Sequence, residues 1–155
     1  MRKKTDQFWM SVAIELAEQA GESGEVPVGA VLILDDKMIG KGRNQSIELN
    51  DPSAHAEIQA LREAGSKIGN YRLNRSKIYV TIEPCTMCIG ALVHARIEKL
   101  IFGAREPKSG AVAFANDILE KNSFNHRFKV IGGVLEDECS KLIRNFFRAR
   151  RNNQC

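Results

Sequence analysis

The segment Lys77-Ile78-Tyr79-Val80-Thr81-Ile82, continued by Glu83-Pro84-Cys85-Thr86-Met87-Cys88 and closed by the apolar run Ile97 to Phe102, decides the fold. Lys77 to Ile82 is rich in β-branched and aromatic residues, which predicts a strand. Pro84 to Ala95 predicts a helix, because a proline in the first turn gives up an amide hydrogen that has no intrahelical partner anyway. Ile97 to Phe102 is the next strand. Strand, helix and strand in this order predict parallel strands joined by a right-handed crossover. In the helix Cys85 and Cys88 stand three apart, so both sulfurs face one side of the first turn. A helix N-terminus lowers a thiol pKa and favours the thiolate that metals bind.

Upstream of this unit, Asp51-Pro52-Ser53 supplies turn and capping chemistry for a helix from about Ala54 to Ala64, ending at Gly65 and carrying His55 and Glu57 near its start. Val28 to Leu34 and Met38 to Arg43, separated by Asp35-Asp36-Lys37, predict an antiparallel hairpin. Gly40 and Gly42 mark its second strand as an edge or as a place of close backbone approach, and Asn44 follows directly. A first helix, capped by Thr5 or Asp6, repeats Trp9, Val12, Ala13, Leu16 and Ala20 at helical spacing and stops at Gly21. Downstream, Gly103 to Ala115 lacks periodicity and contains Pro107 and Gly110, a loop of functional length. A short helix near Asp117 to Lys121, a fifth strand from Arg127 to Ile131 and a long last helix complete the chain. Leu135, Cys139, Leu142, Ile143, Phe146 and Phe147 mark one face of that last helix. The sum is an α/β fold of three layers: a five-stranded mixed, mostly parallel sheet with helices on both faces and a site outside the strands' carboxyl ends.

The chemistry rests on one imidazole, two thiols and one carboxylate. Three N/S donors and an open position describe a catalytic zinc, whereas a structural site closes with a fourth Cys or His. The ligands are His55, Cys85 and Cys88, holding one Zn2+ per chain. His55 and Glu57 are two apart, which on a regular helix sends them to nearly opposite faces; they converge only if the metal lies off the helix's N-terminal end. Two thiolates cancel the ion's charge and weaken it as a Lewis acid, so a nearby base is useful. Glu57 fills that role as general base and then general acid. A lone Cys-x-x-Cys is often redox-active or structural, and a lone His near a helix start is usually a cap. His-x-Glu followed by Pro-Cys-x-x-Cys is far rarer by chance and is the signature of zinc nucleobase deaminases.

At 155 residues, with 43% hydrophobic and 27% charged residues, the chain has the length of one domain and the composition of a soluble globule. A net charge of +4, from 23 basic and 19 acidic side chains, is a modest bias. Its placement says more: Lys141, Arg144, Arg148, Arg150 and Arg151 fall in one span without an acid, a nucleic-acid signal whose alternative is a solvated helix face. Beyond Cys85 and Cys88, Cys139 and Cys155 form no disulfide framework, which fits a reducing compartment. Arg2, Lys3 and Lys4 precede an apolar-rich segment, yet Glu15 and Glu18 break it, so it is no secretory signal. No run has the length of a membrane span. A cytoplasmic protein with no membrane partner is expected.

Over nearly its whole length the chain resembles bacterial tRNA-specific adenosine deaminases, members of the cytidine deaminase superfamily. The resemblance runs through Glu25 to Ala30, Asn44, Asp51 to Glu57, Pro84 to Cys88, Gly103-Ala104-Arg105, Asn125-His126-Arg127 and Phe146-Phe147-Arg148. It implies a cytidine-deaminase-like fold and a homodimer. The implied reaction is hydrolytic deamination of adenosine to inosine at the wobble position of a tRNA anticodon, by zinc-activated water with Glu57 shuttling protons. The partner it implies is the anticodon stem-loop, with Asn44, Ala56, Arg105, Glu106, Lys108, Phe147, Arg148 and Arg151 on the substrate and Asn44 bonding the flipped base. Two departures fall in the loop expected to meet RNA: Glu106 stands where the family usually has Asp, and Val112-Ala113-Phe114 replaces small and polar residues. A small-molecule deaminase of the guanine or cytosine type would share every zinc residue. A nonenzymatic RNA-binding module with a structural zinc would have no use for Glu57.

Overall fold

Both faces of the central sheet are covered, which is why its three inner strands read as continuous apolar runs rather than alternating ones. A computed structural model describes residues 2–106, 108, 110–112 and 126–153. Their elements are α1 (Asp6–Glu22), β1 (Gly29–Leu34), β2 (Lys37–Arg43), α2 (Ala56–Ile68), β3 (Lys77–Ile82), α3 (Thr86–Ala95), β4 (Lys99–Ala104), β5 (Lys129–Ile131) and α4 (Glu136–Asn152). The sheet order is β2-β1-β3-β4-β5. β1 is antiparallel to β2 and to β3, while β3 pairs parallel with β4 and β4 with β5. Four strands therefore run one way and β1 alone runs against them, a mixed and mostly parallel sheet.

Side-chain parity divides the core. Ala30, Leu32, Ile78, Val80, Leu100 and Phe102 point to a cluster that includes residues of α2 and α3. Val31, Ile33, Tyr79 and Ile101 point to the opposite cluster, with Trp9, Met10 and Ala13 of α1 and Cys139 of α4. Successive residues on a strand face opposite ways, so one apolar run feeds both layers.

The hairpin turns through Asp35 and Asp36, both at positive φ (51° and 61°), the geometry of a two-residue turn that matches strand twist. Its second strand is an edge and is also closely approached: a Cβ on Gly42 would overlap the Ala56 carbonyl oxygen, and one on Gly40 that of Ala60. These two glycines let α2 settle onto β2.

Several boundaries differ from the sequence reading. Helix α2 starts at Ala56, runs through Gly65 and ends at Gly69, whose φ of 75° and N–H to the Gly65 carbonyl form the left-handed stop. Helix α3 begins at Thr86, not at Pro84, because Cys85 is extended (ψ 174°) and serves as its N-cap. Strand β4 lies two residues later than expected, so Gly103 and Ala104 belong to it and not to the loop; the Ile82–Ala104 pairing extends the ladder. Strand β5 is shortened to three residues. The expected helix near Asp117 to Lys121 lies outside the described residues, as do Ala113, Phe114, Asn125 and Cys155. Among the described residues, no helix is long and apolar enough to cross a membrane.

Candidate active site

Two helices deliver their first residues to one point at the carboxyl end of β3. His55 is the N-cap of α2 and Cys85 the N-cap of α3; both backbones are extended, and neither side chain makes a capping hydrogen bond. With no amide to satisfy, the two side chains project beyond the helix ends. Cys88, two residues into α3 and fully buried, completes the cluster. The His55 Nδ1 atom stands 3.6 Å from the Cys85 Sγ and 3.6 Å from the Cys88 Sγ. The three donor atoms all lie within 4.8 Å of one another.

These distances test the fit of a metal. Bonds of about 2.3 Å to sulfur and about 2.0 to 2.1 Å to nitrogen at a tetrahedral angle place N and S about 3.6 Å apart. The cluster has that spacing, and its donors are the N/S set that zinc prefers. The expected offset of the metal from the α2 axis also follows, since His55 precedes the first helical residue and does not share a regular turn with Glu57.

The donors of the cluster perturb one another strongly. The Cys85 thiol is pulled down to about 3, first by a hydrogen bond from Cys88 and then by one from His55. The Cys88 thiol is pushed up, by its bond to Cys85 and by burial. The two shifts oppose because each thiol acts on the other. His55 is raised, chiefly by its hydrogen bond to Cys85. Glu57 is 3% exposed, and burial raises its carboxyl above the ordinary range. An acid held in this way beside a metal cluster is suited to taking up and returning a proton.

The cleft in front of the cluster measures about 240 Å3 and brings together Asn44, His55, Glu57, Cys85, Glu106 and Phe147. Asn44 Oδ1 accepts the Ala56 N–H at 2.9 Å, serving α2 as a remote cap. That bond fixes the carboxamide and turns its NH2 group away from the helix.

A family profile described as MafB19-like deaminase matches residues 4–151. A tRNA-specific adenosine deaminase of Haemophilus influenzae is 47% identical over 155 residues, covering 99% of this chain and 90% of its own. One from Buchnera aphidicola is 44% identical over 154 residues, covering 97% and 99%. The chain belongs to the family of tRNA-specific adenosine deaminases. A solved structure from work on A-to-I editing by tRNA:A34 deaminases at the wobble position of transfer RNA superposes with a TM-score of 0.83 at 42% identity. It covers 87% of this chain and 98% of that one.

Against the residues that membership in this deaminase family implies, the placement is uneven. Asn44, Glu106 and Phe147 line the cleft, and Phe147 is 39% exposed there. Ala56 does not line it, being fully buried with its N–H taken by Asn44. Arg105, Lys108, Arg148 and Arg151 are exposed and outside the cleft lining. The Glu106 carboxylate accepts the Lys108 N–H at 3.0 Å.

Two further acids matter that sequence reasoning misses. Glu83 lines the cleft and clamps the following loop: its oxygens accept the Glu106 N–H at 3.2 Å and the Val112 N–H at 3.0 Å. Glu25, 3% exposed, accepts the Ile47 N–H at 3.1 Å and the Glu48 N–H at 2.9 Å in the loop after Asn44. The only sequence signal is an acid beside a proline or an apolar strand start, and that signal does not name its distant amide partners.

Proposed function

We infer that the chain converts adenosine to inosine at the wobble position of a transfer RNA anticodon by hydrolytic deamination. The observation that carries this reading is the buried Glu57 carboxylate in the same cleft as a His55–Cys85–Cys88 cluster with zinc spacing, in a chain 47% identical to a tRNA-specific adenosine deaminase.

A zinc ion held by His55, Cys85 and Cys88 would supply Lewis acidity that makes water a nucleophile near neutral pH. Glu57 takes a proton from the attacking water and passes it to the purine ring nitrogen, then carries the proton of the new C6 hydroxyl to the departing amine, so that adenosine and water become inosine and ammonia. Asn44, fixed through its Oδ1, offers its NH2 group to an acceptor on the base. Phe147, half-exposed at the cleft, supplies apolar surface against which a flipped nucleotide packs. Arg105, Lys108, Arg148 and Arg151 lie outside the lining and would meet phosphates and sugar. A structural zinc in an RNA-binding module would leave the buried Glu57 without a task.

The same reading includes one deaminase domain, a cytoplasmic location in keeping with the free thiols of Cys85, Cys88 and Cys139, and a homodimer. A groove of about 550 Å3 between α2 and α3, lined by Ile58, Leu61, Leu73 and the 67% exposed Tyr71, offers apolar surface for a second copy.

The test is to incubate the protein with total transfer RNA and, separately, with free bases and nucleosides, following inosine and ammonia. Inosine in the transfer RNA alone is expected. Turnover of a free base or nucleoside, with none in the RNA, would replace the proposal by a small-molecule deaminase.

A further inference from the structure

At the amino ends of β3 and β4, away from the cleft, a second groove of about 440 Å3 is built from three segments. Its floor is tied by backbone bonds. The Leu73 N–H bonds the Ala95 carbonyl, the Glu98 N–H bonds the Ser76 carbonyl at 2.8 Å, and the Lys129 N–H bonds the Glu98 carbonyl at 3.1 Å. The His126 ring nitrogen donates to the Ile97 carbonyl at 2.6 Å. Each segment brings cationic side chains to the rim: Arg75, Arg96, and the pair Arg127 and Lys129. Among the described residues that line it, Glu98 is the one acid.

The backbone beneath two of these cations is unusual. Arg75 sits at φ 66° in the turn closed by the Ser76 N–H to the Leu73 carbonyl. Arg96 sits at φ 63° as the C-cap of α3. Both are left-handed positions, where a Cβ is penalised and glycine is the ordinary occupant. Two unrelated chain reversals thus carry arginine in place of glycine, and both arginines line one groove. Turn geometry does not call for them. Arg75 also meets Asp35 at 3.4 Å, but the two side chains are 69% and 68% exposed. Such a pair is weak in water and exchanges readily for a phosphate.

We propose that this groove binds the phosphate backbone of RNA, as a contact separate from the deaminase cleft. Guanidinium groups suit phosphate through paired N–H donors, and Arg75, Arg96 and Lys129 bring one cation from each of the three segments to a lining whose one acid among the described residues is Glu98. The proposal rests on the reading of the substrate as transfer RNA and extends it. Strand β4 alone separates the groove from the cleft by roughly 17 Å at about 3.3 Å per residue, so the RNA it holds is not the target nucleotide.

The left-handed backbone supplies the test. In a variant carrying Arg75→Gly and Arg96→Gly, both turns receive the residue their φ favours, so the fold is kept while two charges go. Filter binding of full-length transfer RNA across a salt series should show weaker binding at low salt. The slope of log K against log salt should flatten by about 1.5, at about 0.7 to 0.9 for each phosphate no longer neutralised. Lys129→Ala, which leaves both turns alone, should flatten it by about half as much. Zinc content and melting temperature should match the parent. An unchanged slope in both variants would overturn the proposal, and so would a lower melting temperature of the glycine variant, which would show the arginines serving the fold. Inosine formation by the parent is scored separately, so failure of the deaminase reading is distinguishable from failure of the groove.

Discussion

Helix α1 and helices α2 and α3 begin differently, and the contrast shows where the chain gives up local stability. At α1 the N-cap is Thr5, whose Oγ1 accepts the Phe8 N–H at 3.1 Å. At α2 and α3 the same position holds His55 and Cys85, which make no side-chain cap bond. An N-cap side chain can turn back to a helix amide or reach outward to a ligand. Thr5 does the first; His55 and Cys85 are placed for the second. A missing cap costs about 1 kcal/mol. Helix α2 recovers part through Asn44, while at α3 the Cys85 side chain faces His55 Nδ1. Because metal binding is linked to folding, occupancy of the cluster should report on both helix starts.

The largest expected effect comes from turning α3 into a helix like α1. Serine at Cys85 is a good cap and a poor zinc ligand. Cys85→Ser should therefore lose zinc and turnover, as measured by metal analysis and inosine formation. After chelation, its melting temperature should equal or exceed that of the equally treated parent. Full retention of zinc would remove Cys85 from the ligand set. Glu57→Gln should leave both helix starts and the metal as they are while lowering turnover by at least about a hundredfold. Activity near that of the parent would remove Glu57 as the proton shuttle.

This contrast also marks what the sequence discloses. Thr5 is legible as a cap because its partner lies three residues away. The His55–Cys85–Cys88 cluster, which could hold a metal, is legible because Cys85 and Cys88 share a turn, and because the spacing from His55 to Glu57 places their meeting point off the helix end. The parallel β3–β4 unit follows from continuous apolar runs. What escapes depends on distant partners. Gly65 reads as a stop, but the left-handed conformation belongs to Gly69 one turn later. Glu83 and Glu25 give no local pattern, since each carboxylate serves backbone amides about twenty residues or more away. The sequence likewise does not disclose that the Ala56 N–H is bonded by Asn44 Oδ1.

A smaller effect belongs to Asn44, which stands between the two kinds of helix start. Its Oδ1 serves the Ala56 N–H as a cap, while the residue lines the cleft. Asn44→Ala should therefore do two things at once: lower stability by about 0.5 to 2 kcal/mol, as loss of a cap does, and raise KM for transfer RNA. Asn44→Asp keeps the acceptor and removes the NH2 donors. It should restore the melting temperature without restoring KM. If both variants matched the parent in KM, the base contact would be gone and only the cap would remain.

The smallest expected effect lies at α1, where the cap has a structural task alone. Thr5→Ala removes one hydrogen bond to the Phe8 amide. The rest of the helix start is held independently, by the Tyr79 hydroxyl donating to Asp6 Oδ1 at 2.7 Å and by the burial of Trp9 and Met10. The loss should be about 1 kcal/mol, or roughly 2 to 4 °C in Tm for a chain of this size. Thr5→Ser keeps an oxygen in place and should recover most of it. Neither change should alter zinc content or kcat, because α1 packs on the face of the sheet opposite α2 and α3. Thermal melts with and without chelator decide the matter. If the cap is purely local, Thr5→Ala lowers both curves by the same amount. A deficit that appears only in the zinc-loaded protein would couple α1 to the metal cluster through the sheet, and would end the separation between a helix start that folds the chain and two that equip it.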